Sequence, residues 1–153
     1  MIKRILTATD GSRLSTKAVK YAAGLAKQTG ASITLLGVVD FSQLVAQGAA
    51  PSMMPSQGSA RMIMETRDLL RHATERYLEE AASECTKKGV SVRKVLSTGH
   101  PVEEIVKKAR QEKADLIVLG SHGRSALRAA VLGSVAYGVI HKHAKIPILV
   151  VRR

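Results

Sequence analysis

One cysteine, no tryptophan and four aromatic residues (Tyr21, Phe41, Tyr77, Tyr137) in 153 exclude several protein classes at once. Cys85 alone cannot close an internal disulfide or build a multi-thiolate metal site, which fits a reducing compartment and removes zinc-finger and iron–sulfur readings. So few aromatics leave little for stacking on single-stranded nucleic acid, so a polynucleotide partner is not favoured. No apolar run approaches the roughly 20 residues that span a bilayer, which argues against membrane insertion. Met1 to Asp10 opens with a basic pair, Lys3-Arg4, and Asp10 interrupts the apolar stretch before it reaches leader-peptide length; the chain reads as cytoplasmic. Acidic groups are also scarce. Twelve Asp and Glu face 24 Lys and Arg, giving +12, a balance that points to phosphorylated or polyanionic partners or to solubility alone.

The length suits one domain spanning residues 1–153, and apolar periodicity divides it into alternating strands and helices. Ile2 to Thr9 reads as a strand ended by the turn Asp10-Gly11-Ser12, which also offers a helix cap. Leu14 to Gln28 repeats its apolar positions at three and four and stops at Thr29-Gly30. Ser32 to Val39 is a second strand. Asp40 to Ser59 carries no charge after Asp40 and reads as a long loop. Ala60 to Lys88 is a long helix with Tyr77 and Cys85 on its apolar stripe. Ser91 to Ser97 is a third strand, and a helix with Pro101 in its first turn follows. Leu116-Ile117-Val118-Leu119 is a continuous apolar run, as expected of a parallel strand covered on both faces. A helix from Ser134 to His143 and a strand from Ile146 to Val151 complete the pattern.

Crossovers too long for hairpins require a parallel sheet with helices on both faces, an α/β fold. With strand order 3-2-1-4-5 the winding reverses between the first and fourth strands, and ligands of such sheets bind in the crevice beyond that reversal. Asp10 and Gly120 border it. The last strand is an edge, with Pro147 at its start, and Ile146-Pro147-Ile148-Leu149-Val150-Val151 is too apolar to leave in water; a dimer joined there covers it.

The densest chemical signal is Gly120-Ser121-His122-Gly123-Arg124, with nine residues from Gly123 to Gly133-Ser134. Glycines permit close backbone approach to an anion, and the N–H groups opening the next helix point at a phosphate. Ala8, Thr9 and Val39 end neighbouring strands and are placed to cover a base, and Asp10 to accept from a ribose.

These residues, Ile5-Leu6-Thr7-Ala8-Thr9-Asp10-Gly11-Ser12, Gly99-His100-Pro101 and Gly120-x2-Gly123-x9-Gly133-Ser134, closely resemble the universal stress protein family along the whole chain. The resemblance implies a Rossmann-like fold of the adenine nucleotide alpha hydrolase kind, and the complete glycine spacing implies its ATP-binding branch, with Mg²⁺ accompanying the nucleotide. It places Gly120, His122, Gly123, Gly133, Ser134 and Val135 on the phosphates and ribose, Asp10 on the ribose or adenine side, and Ala8, Thr9 and Val39 on the base. It also implies a homodimer through the last strand. Arg124 can add charge to the phosphates or be merely solvated.

The expected role is a nucleotide-dependent sensor or switch in stress response, acting on a protein partner, with at most slow hydrolysis and no dedicated catalytic or metal-ligating residues. No Gly-x4-Gly-Lys-[Ser/Thr] loop occurs. A triad of Ser121, His122 and Asp10 is disfavoured because adjacent Ser and His are expected to point apart. A nucleotide-free dimeric module of the same fold and a non-specific nucleic-acid binder are the alternatives. The basic excess of the last 53 residues, ten cations against four acids, is read as serving a phosphate tail at the glycine loop.

Overall fold

The computed structural model describes residues 1–42, 57–123, 132–142 and 145–152. The elements run β1 (Arg4–Ala8), α1 (Arg13–Thr29), β2 (Ser32–Val39), α2 (Gln57–Thr86), β3 (Val92–Thr98), α3 (Pro101–Gln111), β4 (Leu116–Gly120), α4 (Ser134–His141) and β5 (Ile148–Val151). The five strands form one parallel sheet, as the alternation required, in the expected order β3-β2-β1-β4-β5.

Strand alternation splits the core in two. Ile5, Ile33, Leu35, Leu116 and Val118 face α1 and α2, whereas Leu6, Leu36, Ile117 and Leu119 face α3 and α4. Residues Leu116 to Leu119 are all buried, which accounts for the unbroken apolar run of β4. α1 approaches the sheet closely because the face it buries is mostly alanine: Ala18, Ala22, Ala23 and Ala26. Its ends are set by local chemistry: Ser12 Oγ accepts from Ser15 N, and Gly30 closes the helix at φ 71°. α3 has Pro101 in its first turn, Glu103 and Glu104 at its positive end and Lys108 and Arg110 at its negative end.

Several boundaries differ from the periodicity: β1 starts at Arg4 and not Ile2, and α2 ends at Thr86 and not Lys88. α2 begins at Gln57 and not Ala60, although Gln57, Gly58 and Ser59 contribute no apolar repeat. From Ala60 to Ala73 no α2 residue is buried; its buried residues are Thr74, Leu78, Ala81, Ala82 and Cys85. β5 begins at Ile148, so Ile146 and Pro147 precede it, yet Pro147 O still accepts from Ile117 N at 2.9 Å. α4 ends at His141, two residues before the expected end. Most of the expected loop from Asp40 to Ser59 lies outside the described residues.

One long-range clamp fixes the sheet at the end opposite the crevice. Lys3 N and Arg4 N both donate to Asp115 Oδ2 at 2.9 Å, tying the entry of β4 to the start of β1. These backbone donors, with Arg4 beside them, hold the Asp115 carboxyl below its ordinary value.

Candidate functional site

The crevice lies where the winding reverses, beyond the carboxyl ends of β1 and β4. β1 pairs with β2 through Ala8 and Leu36, and Thr9 N extends the ladder to Leu36 O at 3.0 Å. Thr9 is buried, and its Oγ1 lies 3.3 Å from Ser15 Oγ and accepts from Gly11 N at 3.3 Å. Asp10 Oδ1 accepts from Ser12 N at 3.0 Å, a local turn that fixes the carboxylate at the end of β1. Val39, at the end of β2, is 3% exposed, and its carbonyl accepts from Gly99 N at 3.1 Å. The expected base-side residues therefore gather at one sheet edge.

The glycine segment meets them from β4. A Cβ on Gly120 would lie 2.8 to 2.9 Å from the Leu14 carbonyl and Ser15 N, so the absence of a side chain lets the first turn of α1 rest on the end of β4. A Cβ on Gly123 would lie 2.5 Å from Asp10 Oδ2, which places the two loops in contact. Gly133 N donates to Ser121 O at 2.8 Å, and a Cβ on Gly133 would come within 2.9 Å of Ser121 O and 3.1 Å of His122 Cα. Ser121 N in turn donates to Val151 O at 2.8 Å. Backbone bonds thus hold the start of α4 against the end of β4.

α4 opens on a glycine, and the cap position makes no side-chain hydrogen bond. Its first turn-closing bond is Tyr137 N to Gly133 O, so the Ser134, Val135 and Ala136 N–H groups have no acceptor within the helix. Ser134 is exposed and adds a hydroxyl. The Val135 side chain packs against the core beneath α4, leaving its N–H as the group it can offer. His122 is half-buried, and its Nε2 is buried without a hydrogen-bond partner. Arg124 lies outside the described residues.

One expectation changes here. Ser121 and His122 do not point apart: Ser121 Oγ and His122 Nδ1 are 3.1 Å from one another. The pair is still no nucleophile and base, because Ser121 is 2% exposed and closed to substrate. Of the cations of the last 53 residues, Arg124 and Arg128, inside the glycine segment, lie outside the described residues, and the described ones are spread over other elements. Lys107, Lys108 and Arg110 lie on α3, Lys107 pairs with Glu104 at 3.1 Å, and Lys142 pairs with Glu103.

Sequence reasoning missed Tyr77 and Ser15. The Tyr77 ring covers Gly11 so closely that a Cβ there would fall inside it, and Gly11 holds φ +75°; helical spacing had marked Tyr77 only as a core position. Ser15 was overlooked because its hydroxyl reads as a break in the apolar stripe of α1. Among the described residues, no cluster of three or more His, Cys, Asp or Glu could hold a metal ion. Burial raises the Cys85 thiol to about 11, as expected of a small core residue. No helix among the described residues is long and apolar enough to cross a membrane.

Fold and crevice together define a doubly wound α/β protein with an anion-ready helix start at its topological switch point. The chain belongs to the universal stress protein family, whose model matches residues 1–152. It is 37% identical over 153 residues to universal stress protein MJ0531 of Methanocaldococcus jannaschii, covering 100% of this chain and 84% of that protein. Protein MJ0577 of the same organism, named a universal stress protein, has a solved structure 31% identical to this chain. It superposes with a TM-score of 0.81 and covers 100% of this chain and 97% of that one. A universal stress protein from Archaeoglobus fulgidus, solved in complex with dAMP, shares the fold at 24% identity and a TM-score of 0.69, covering 99% of this chain and 100% of that one.

Proposed function

We propose that the crevice holds an adenine nucleotide, ATP with Mg²⁺, and that the bound nucleotide sets how this protein engages a protein partner in a cytoplasmic stress response. The observation carrying this reading is the start of α4: a helix with an uncapped first turn, seated by Gly133 on Ser121 O, two residues before the Gly123 that meets Asp10. Three free N–H groups and the Ser134 hydroxyl fit phosphate oxygens. Charge-assisted hydrogen bonds contribute roughly 1.5–3 kcal/mol each, and four of them reach the about 8 kcal/mol that micromolar binding needs. Burial of the adenine against Ala8, Thr9 and Val39 offsets the cost of immobilising it. Gly120, Gly123 and Val135 contribute backbone to the phosphate path, and His122 Nε2, buried and unpartnered, is a candidate donor to it. Arg124 adds charge. Asp10 is the carboxylate for the ribose; magnesium travels with the phosphates and keeps much of its water. A solved complex of this fold with dAMP is consistent with an adenine ligand.

A second reading, a nucleotide-free dimeric module, draws on a specific observation: Gly120, Gly123 and Gly133 all stand where a Cβ would strike Leu14 and Ser15, Asp10 or Ser121. Packing alone would therefore require the glycine spacing. For the same reason a glycine substitution is a poor test of binding. The test is calorimetric titration of the nucleotide-stripped protein with Mg·ATP, ADP and AMP, with Ser134→Ala and Asp10→Asn beside it. We expect micromolar to submicromolar binding, weakened about five- to thirtyfold by either change. No heat at millimolar ATP leaves the second reading. Phosphate release in the same samples is expected to be slow at most, since no activated nucleophile or water-orienting base stands in the crevice among the described residues.

In the proposed homodimer, β5 pairs edge to edge with its copy. Pro147 O accepts from Ile117 N of β4 and Val151 O from Ser121 N just beyond it, so by alternation the N–H and C=O groups of Ile148 and Val150 face the open edge.

A further inference from the structure

The exposed face of α1 is a row of like charge. Arg13, Lys17, Lys20 and Lys27 all lie on the surface, and the helix contains no acidic residue. Positions 13, 17, 20, 24 and 27 step by four and three, which sets them along one line of the helix. Position 24 is glycine, and the gap does not interrupt the charge: Lys88 Nζ reaches in from beyond α2, 3.9 Å from where the Gly24 Cβ would stand, and donates to Lys20 O at 3.1 Å. Five cations therefore span about 21 Å at the helical rise of 1.5 Å per residue.

This row opposes folding more than it assists it. Arg13 stands at the positive end of the helix dipole, and Arg13/Lys17 and Lys17/Lys20 are repulsive neighbours on one helix face. The buried side of α1 uses Ser15, Ala18, Val19, Ala22, Ala23 and Ala26 and needs none of these cations. Carboxylates elsewhere are mostly occupied: Glu65 by Arg61, Glu75 by Arg71, Glu79 by Lys94, Glu104 by Lys107, Glu112 by Arg93 and Asp115 by Arg4. Of the carboxylates on α2, Glu84 meets the row, at 3.4 Å from Lys20, and shares itself with Lys87; Glu80 stands one turn before it. Arg13, Lys17 and Lys27 have no ion pair among the described residues. Tyr21, 53% exposed, follows Lys20 and lies one turn from Lys17. An aromatic face set between cations is the local arrangement that takes a base while the charges follow its phosphates.

We propose that this face of α1 binds the backbone of a single-stranded nucleic acid. Phosphates of one strand advance about 3.4 Å along the axis in a duplex, so a row of this length meets several at once. The small number of aromatics argued against such a partner from composition; one exposed tyrosine inside the row meets the local requirement. The surface lies on the α1 side of the sheet, and the proposal does not depend on nucleotide binding in the crevice. A membrane is disfavoured because Tyr21 is the one exposed large apolar side chain on α1, too little for insertion.

The experiment is anisotropy of a labelled 20-nucleotide single strand titrated with the full chain between 50 and 200 mM NaCl. Four phosphate contacts give a slope of log K against log salt of about −2.8, or a loss of about fiftyfold over that range. Lys17→Gln with Lys27→Gln is expected to flatten the slope by about 1.4. Tyr21→Ala is expected to weaken binding roughly tenfold with the slope unchanged. Lys108→Gln with Arg110→Gln, on α3 across the sheet, is expected to change neither. All substituted positions are exposed or half-buried, and circular dichroism verifies the fold of each variant. The proposal is overturned by absent binding, by a salt-insensitive signal, by equal loss in the α1 and α3 variants, or by competition from polyglutamate or anionic vesicles as effective as unlabelled oligonucleotide at equal charge.

Discussion

At Gly120 a single methyl group decides whether β4 and α1 can meet, because the backbone of Leu14 and Ser15 already occupies the space. Gly24, in the middle of α1, has only a lysine tip 3.9 Å away and lies in helical backbone. The two glycines therefore respond oppositely to the same change. Gly120→Ala is expected to destabilise by about 1–3 kcal/mol through forced separation, and Gly24→Ala to stabilise by about 0.5–1 kcal/mol through helix propensity and lost unfolded-state freedom; urea denaturation reads both. Equal signs would contradict the packing assigned to Gly120. This contrast also marks what the chain reveals unaided. The spacing of Gly120, Gly123 and Gly133 was visible as a phosphate-loop pattern, but their contacts with Leu14, Ser15 and Asp10 cross more than 100 positions and leave no local trace. The Ser121–His122 bond was missed for a related reason: adjacency along the chain does not fix side-chain direction once the strand has ended.

Element order and type were legible because alternation of apolar runs with three-four periodicity is strong in all five strands and in the helices. Ends were less so. Gln57 to Ser59 carry helical backbone without an apolar signal, and Ile146-Pro147 carry an apolar signal without a strand. The clamp between β1 and β4 gives a prediction at this scale. Asp115 has a depressed carboxyl because Lys3 N and Arg4 N donate to its ionised form. A depressed acid contributes stability that is present above its unfolded value of about 4 and lost as pH falls through the folded value. Asp115→Asn should accordingly lower the thermal midpoint at pH 7, with the gap to the parent protein closing below about pH 4. A gap constant down to pH 2.5 would mean that the side chain acts by shape and not by charge.

For the molecule as a whole, crossover length implied the parallel sheet and the expected order 3-2-1-4-5, which the structure has, placed the crevice, while the net charge of +12 carried no location. Composition counts charge and cannot see pairing: Arg13, Lys17 and Lys27 of α1 have no ion pair among the described residues, and neither do Lys108 and Arg110 of α3, whereas Lys20 and Lys107 do. The proposed dimer is the prediction proper to this scale. Val150→Pro removes an N–H on the open side of β5 and leaves the bonds to β4 in place. Sedimentation equilibrium is expected to give about twice the 16.4 kDa chain mass for the parent and the monomer mass for this variant, with helicity retained. A dimer surviving the change would place the interface elsewhere.

α2 is one continuous element of 30 residues, about 45 Å long at the ordinary helical rise, yet only its second half is anchored in the core. Stability in such an element is graded along its length and not shared evenly, since opening free energy follows buried contact. The half from Thr74 onward melts only with the sheet beneath it. The half before it is held by its own hydrogen bonds and by pairs such as Arg61–Glu65 and Arg71–Glu75, each contributing a few tenths of a kcal/mol. Among the described helices, opening on heating is therefore expected to begin at the first half of α2, with the Tyr77 ring over Gly11 at the border where fraying stops.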